Sequence, residues 1–327
     1  MKIIDFEHHL FTPEQLEKRG AKSGTAERGW DGKGQVKNIP SSGIAHAETH
    51  LQFMDAAGID MAVLTTNMCA NLKEARDWNN HCAKFVREYP DRFAGFAITL
   101  PLEGKPAFEE MERAVKDLGL KGVHIQTRIG DHHLDSRELW PFYEKVAELG
   151  VPIDVHVKKK PSGLDLLKAL YALYYVIARE LDMCSATLRV CLGGVLEDFP
   201  GLVFIMNHFG GGISIFKERV DLYMTYMGDN FYFESSRISK PWNEYFERLY
   251  FNMAGREIGM DTLRCTLTNV KPNRLLFGTD WPWNFEGNPQ GVKTFIHEIQ
   301  KLDFPREDIE AMLGGNAEKL LGIGGPS

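Results

Sequence analysis

Eight short β-rich segments, separated by stretches of helical periodicity, succeed one another along this 327-residue chain. They are KIIDFEHH (2–9), DMAVLTT (60–66), FAGFAIT (93–99), KGVHIQT (121–127), VPIDVHV (151–157), LVFIMNH (202–208), NFYFESS (230–236) and NRLLFGTD (273–280). Helical patterns fall between them, at 83–90, 105–119, 138–150 and 291–302. Strands that alternate with helices build a parallel sheet from βα units. Eight such units in this length predict an α/β fold of the (β/α)8 barrel type, whose usual size is about 250 residues plus insertions. With no linker, repeat or low-complexity tract, residues 1–327 are expected to form one domain. Two insertions follow strands: 12–47, without clear periodicity, after the first, and 161–195, helical, after the fifth. Both lie on the side where barrels build their sites.

Composition narrows the partners. A hydrophobic content of 43% and a charged content of 25% are those of a globular protein with a large core. The net charge is −7 and the sole short basic run is Lys158-Lys159-Lys160, so nucleic acid is not an expected partner. Five cysteines, with no CxxC pair, point to a reducing compartment and hence the cytoplasm. No charged leader and no apolar segment of membrane-spanning length is present, so neither secretion nor membrane insertion is expected.

The first strand ends unusually. A strand period of two puts Asp5, Glu7 and His9 on one face and Phe6, His8 and Leu10 on the other. Glu7 and His9 can then converge on one point, as a carboxylate and an imidazole do around a divalent cation. The other strands end in similar residues: His156 in strand five, His208 after strand six and Asp280 after strand eight. Taken singly, each has a structural explanation. His156 suits a hydrogen-bonded core histidine, His208 a cap before a glycine-rich turn, and Asp280 a helix N-cap. Together, at corresponding ends of separate barrel strands, they form a mixed oxygen and nitrogen ligand set.

The elements IIDFEHH, GVPIDVHV, FIMNHFGG, RLLFGTDWPW and GGNAEKLLGI resemble the amidohydrolase superfamily. The likeness is to its branch of single-metal enzymes, which contains γ-resorcylate, 5-carboxyvanillate and aminocarboxymuconate semialdehyde decarboxylases, and it runs from residue 1 to about 323. The family pattern Asp-x-His-x-His appears here with Glu7 at the first ligand position, as in several aromatic-acid decarboxylases. His124 stands near where two-metal members carry a carboxylated lysine, which favours one metal.

The resemblance implies that Glu7, His9, His156 and Asp280 ligate one Zn²⁺ or Mn²⁺ ion, with His208 beside it. It further implies non-oxidative decarboxylation of a hydroxyaromatic or related unsaturated acid, with Asp280 as proton donor. The alternative is hydrolysis or hydration, of lactone or cyclic-ketone type, at the same ligands. A small-molecule carboxylic acid needs cationic partners, and the candidates are Arg237 first, then Arg128 and Lys158, with Trp283 as a wall for the ring. A binding scaffold without catalysis would have lost a ligand position, and none is lost. Family members commonly assemble as dimers or tetramers, so a homodimer or homotetramer is expected.

Overall fold

The computed structural model describes the chain except for residues 24–26, 31–35, 67–68, 159–170, 172, 227–235, 255–258 and 324–327. Eight parallel strands form one sheet in chain order: β1 (Ile4–His9), β2 (Met61–Thr65), β3 (Phe93–Ile98), β4 (Gly122–Gln126), β5 (Ile153–His156), β6 (Phe204–Met206), β7 (Tyr250–Asn252) and β8 (Leu275–Leu276). The sheet curls until its ends meet. Phe6 N donates to Phe277 O at 2.8 Å, His9 N donates to Trp281 O at 2.9 Å, and His8 bridges Trp281 in parallel register.

The strands are short apolar runs because both of their faces are covered, as a parallel barrel requires. Every residue of β2 and β3 is buried. Inside the barrel, Phe6, Val63, Phe96, Ile205 and Leu276 pack together, and the rings of Phe6 and Phe96 meet edge to face at 5.5 Å. Gly122 makes that ring possible, since a Cβ there would stand 2.4 Å from Phe96 Cε2. Outside, amphipathic helices turn their apolar faces to the sheet. The helix Leu72–Glu88 begins at Asn71, whose side chain caps Glu74 N, and it buries Trp78, Cys82 and Phe85. Trp78 also donates through Nε1 to Leu10 O, tying this helix to the end of β1.

Two features differ from the sequence pattern. The seventh strand is Tyr250–Asn252, not 230–236, of which 230–235 lie outside the described residues. A three-residue ladder inside LYFNMA is too short to show periodicity, whereas NFYFESS carries a clear aromatic alternation in its sequence. The first insertion contains an antiparallel hairpin, Glu27–Trp30 with Val36–Ile39. The second holds a π-helical turn, Tyr174–Ala178, running into the helix Arg179–Leu192, with residues 159–170 and 172 outside the described residues. Among the described residues no helix is long and apolar enough to cross a membrane.

All five cysteines are free. Cys82 and Cys191 are fully buried and their thiols are pushed upward by desolvation, while burial raises Cys69 to about 12 and Cys184 to about 11. Cys265 is exposed. Titration of the folded protein with a disulfide reagent is therefore expected to show Cys265 reacting first and Cys82, Cys184 and Cys191 reacting on unfolding, with the half-buried Cys69 between them. More than two thiols reacting before unfolding would contradict this burial pattern.

Candidate active site

The end of β1 does not keep a strict two-residue alternation. The ladder with β2 slips between Asp5 and His8, where Asp5 pairs with Ala62 and His8 with Leu64. Such a bulge re-aims the side chains that follow it. Phe6 packs in the barrel interior, Glu7 and His9 turn to the mouth cluster, and Asp5 joins His8 instead of sharing their face. The predicted grouping of Asp5 with Glu7 and His9 is thus corrected by the extra residue.

Asp5 is a buried knot. It accepts from Thr279 N at 2.7 Å, Thr279 Oγ1 at 2.6 Å and Glu7 N at 3.3 Å, and pairs with His8 Nδ1 at 2.8 Å. His8 Nε2 meets His50 Nδ1 at 3.0 Å, and His50 Nε2 reaches Ile44 O at 2.7 Å. A carbonyl can only accept, which assigns the His50 proton to Nε2 and leaves its Nδ1 to accept from His8. Burial and the neighbouring His8 hold His50 well below the usual imidazole range, consistent with a neutral ring. The Trp281 ring stacks on His8 at 4.6 Å. These contacts fix β1 against the 279–281 segment, and so fix the ligands each carries.

Glu7, His9, His156 and Asp280 are buried, and one ligand atom from each lies within 4.8 Å of the others. His9 Nε2 stands 2.7 Å from Asp280 Oδ1, and Glu7 Oε1 lies 2.9 Å from His156 Nε2 and 3.7 Å from His9 Nε2. Glu7 is held by its other oxygen: Asn252 Nδ2 donates to Oε2 at 2.8 Å and to Asn207 Oδ1 at 2.7 Å, while Asn252 Oδ1 accepts from Ala254 N. Glu7 Oε1 accepts no hydrogen bond among the described residues despite full burial. A buried carboxylate oxygen of this kind is costly unless a cation takes it. His156 Nδ1 donates to Val157 O at 2.9 Å, which leaves the Nε2 lone pair facing the cluster. Desolvation, then the neighbouring histidines, keep His156 well below its ordinary value and therefore neutral. Two carboxylates and two imidazoles suit one divalent ion of borderline hardness, Zn²⁺ or Mn²⁺.

Backbone conformation contributes as well. Asp280 has φ 52° and His208 φ 52°, in the left-handed region that non-glycine residues seldom occupy. Each such residue costs of order 1 kcal/mol or more, held here by the surrounding packing. His208 Nδ1 meets Glu180 Oε1 at 3.0 Å, and its ring lies edge-on to His156 at 5.2 Å. Its Nε2 is 3.9 Å from Glu7 Oε1, beside the four-ligand cluster rather than within it.

The predicted substrate residues divide. The Trp283 ring lies 6.3 Å from His9 and 6.1 Å from Phe11. Arg128 and Lys158 line one cavity at the barrel mouth. Arg237 is exposed and packs on Gly194, near Asp198, which hydrogen bonds from Arg137 and Trp140 hold below the usual carboxylate range with a smaller contribution from the Arg237 charge. None of its described contacts is with the cluster, because it follows residues 230–235 rather than the strand that ends at Asn252.

Sequence reasoning missed Asn252, Glu180 and Arg19. Arg19 lies over the rings of Phe11 (5.1 Å) and Trp283 (5.8 Å), and burial lowers its guanidinium. An asparagine ending an apolar run was the available sign for Asn252; Glu180 and Arg19 reach the site from helix ends that give none. Asn252→Ala is expected to weaken Mn²⁺ binding by about 10- to 100-fold, read by competition with a chelator, since Glu7 loses its anchor. Unchanged affinity would show that Glu7 is positioned otherwise.

The family model described as Amidohydrolase matches residues 4–323. The γ-resorcylate decarboxylase of Polaromonas sp. is 26% identical over 291 residues, covering 84% of this chain and 86% of that one. The 2-keto-4-carboxy-3-hexenedioate hydratase of Sphingobium sp. is 30% identical over 300 residues, covering 83% and 81%. The crystal structure of a dihydroxybenzoic acid decarboxylase from Polaromonas sp., with bound manganese and the inhibitor 2-nitroresorcinol, superposes with a TM-score of 0.77 at 22% identity, covering 98% of this chain and 97% of that one. With barrel order, ligand cluster and family match in agreement over nearly its whole length, the chain belongs to the Amidohydro_2 family of amidohydrolases.

Proposed function

We propose that this protein is a metal-dependent, non-oxidative decarboxylase of a hydroxyaromatic or related unsaturated carboxylic acid. One observation carries the reading. The two carboxylates of the cluster are not equivalent: Glu7 is locked by Asn252, whereas Asp280 stands at the mouth, 5% exposed, with His9 as its described side-chain partner. Glu7 is therefore a ligand alone, and Asp280 is the acid that can also reach a substrate. The decarboxylase relatives and the manganese-bearing neighbour support the decarboxylase reading.

A divalent ion held by Glu7, His9, His156 and Asp280, when bound, would supply charge stabilisation and a chelating anchor for a carboxylate and its ortho oxygen. The residues do the rest. Trp283 and Phe11 flank the approach to His9, with Arg19 over both rings, so a flat anionic ring is oriented there. Asp280, protonated in the complex, gives its proton to the ring carbon that bears the carboxylate. The bond to the carboxylate then breaks, its electron pair returns to the ring, and CO2 leaves. His208, oriented by Glu180, hydrogen-bonds the substrate oxygen.

The hydratase relative favours a second reading, addition of water to a carbon–carbon double bond at the same ligands. The test is incubation of Mn²⁺-loaded protein with hydroxylated aromatic acids and unsaturated keto acids in D2O. Release of CO2 with deuterium at the vacated carbon is the expected result. A hydrated product without CO2 would overturn it.

A homodimer or homotetramer is also part of this reading. Val176, Ile215 and Leu222 are each more than half exposed, and a groove of about 710 Å³ between the helices Arg179–Leu192 and Lys217–Tyr226 adds Leu188, Phe216 and Tyr223. Light scattering of the purified protein at the monomer mass would exclude it.

A further inference from the structure

A cavity of about 230 Å³ opens at the C-terminal ends of β2 to β5, across the barrel mouth from β8. His124 lines it, and its ring lies 5.9 Å from that of the cluster residue His156. Three further polar features distinguish it from a packing defect. The hydroxyls of Thr66 and Thr99, which are 0% and 9% exposed, make no hydrogen bond among the described residues. His124, 2% exposed, is pinned through Nδ1 to Asp154 at 2.6 Å, and its Nε2 has no hydrogen bond among the described residues. Arg128 and Lys158 bring two positive charges, and among the described residues no aspartate or glutamate lines the cavity. Arg128 is oriented by Asp182 at 2.7 Å. Lys158 reaches the carbonyl of Gly130 and has no carboxylate partner among the described residues.

Buried hydroxyls and an uncompensated ammonium mark a site awaiting acceptors. A carboxylate is acceptor-only, with two oxygens and about four lone-pair positions, and it matches this set in both charge and hydrogen-bond sense. We propose that the cavity is an anion subsite for a second carboxylate of the substrate, so that the acid whose decarboxylation is proposed above is a dicarboxylate. Lys158, Arg128 and the two hydroxyls hold the anion. The inference rests on the decarboxylase reading for its substrate class but not for the binding itself.

The experiment is calorimetric titration of Mn²⁺-loaded protein with inert probes, namely benzoate and the 1,3- and 1,4-benzenedicarboxylates. At least one dicarboxylate is expected to bind about tenfold or more tightly than benzoate. Lys158→Met and Thr99→Val should each remove most of that preference and leave metal content unchanged. Equal binding of all three probes by the unaltered protein, or variants that retain the dicarboxylate preference, would overturn the subsite. The CO2 assay separates the two claims: release from hydroxyaromatic acids without dicarboxylate preference overturns the subsite alone, whereas preference without release from any acid overturns the decarboxylase and leaves the subsite standing.

Discussion

Asp280→Asn is expected to reduce CO2 release by about 10³-fold or more while the protein still folds and still binds metal, though more weakly. The amide keeps an oxygen ligand at the same place but cannot deliver a carboxyl proton. The position also tolerates asparagine sterically, since φ 52° is a conformation that Asn and Asp accept better than other side chains. Bound Mn²⁺ would be counted by atomic emission, and single-turnover CO2 release measured at saturating metal, so that weaker binding is not mistaken for lost chemistry. If the variant, fully loaded, releases CO2 within tenfold of the unaltered protein, Asp280 is a ligand and not the proton donor.

The second large effect lies one step away from the chemistry. Asp5→Ala removes the acceptor for Thr279 N, Thr279 Oγ1, Glu7 N and His8 Nδ1 at once, in a position that is 0% exposed. Breaking such a buried charged network by deleting one partner typically costs about 3–5 kcal/mol, because the remaining donors stay buried and unpaired. Urea unfolding of the metal-free protein should show a loss of that order with an unchanged m-value. Mn²⁺ affinity should fall with it, since Asp5 links the strand that carries Glu7 and His9 to the segment that carries Asp280. A loss below about 1 kcal/mol would mean that water replaces the carboxylate and that the network is not a structural anchor.

The barrel was legible because parallel strands buried on both faces are written as compact apolar runs, and seven of the eight were readable from that alone, β8 as the two-residue ladder inside NRLLFGTD. β7 was not found, because Tyr250–Asn252 carries too few residues for any period to show, and NFYFESS offered a clearer one. At the site, Glu7, His9, His156 and Asp280 were visible as polar endings of apolar runs, where burial makes a titratable side chain conspicuous. The bulge that aims Glu7 and His9 inward was not visible, since an extra residue in a strand changes the register without changing the composition. Arg237 and Arg19 show the same limit from opposite sides. A cation's place in the chain does not say whether a loop carries it to the mouth or away, and helix ends such as Arg19 reach the mouth with no mark in the sequence.

The way the sheet closes has a mechanical consequence. β1 and β8 are joined by a few main-chain hydrogen bonds and one bridge, and β8 itself is two residues long. Two of the four candidate ligands, Glu7 and His9, lie on one lip of this seam, and Asp280 lies on the other. An ion bound there fastens the first element of the chain to one of the last, so occupancy is felt as circumference rather than as local order. Loading the site ties residues 7–9 to residue 280 across that seam, and amide exchange along residues 275–281 is where the fastening would be recorded.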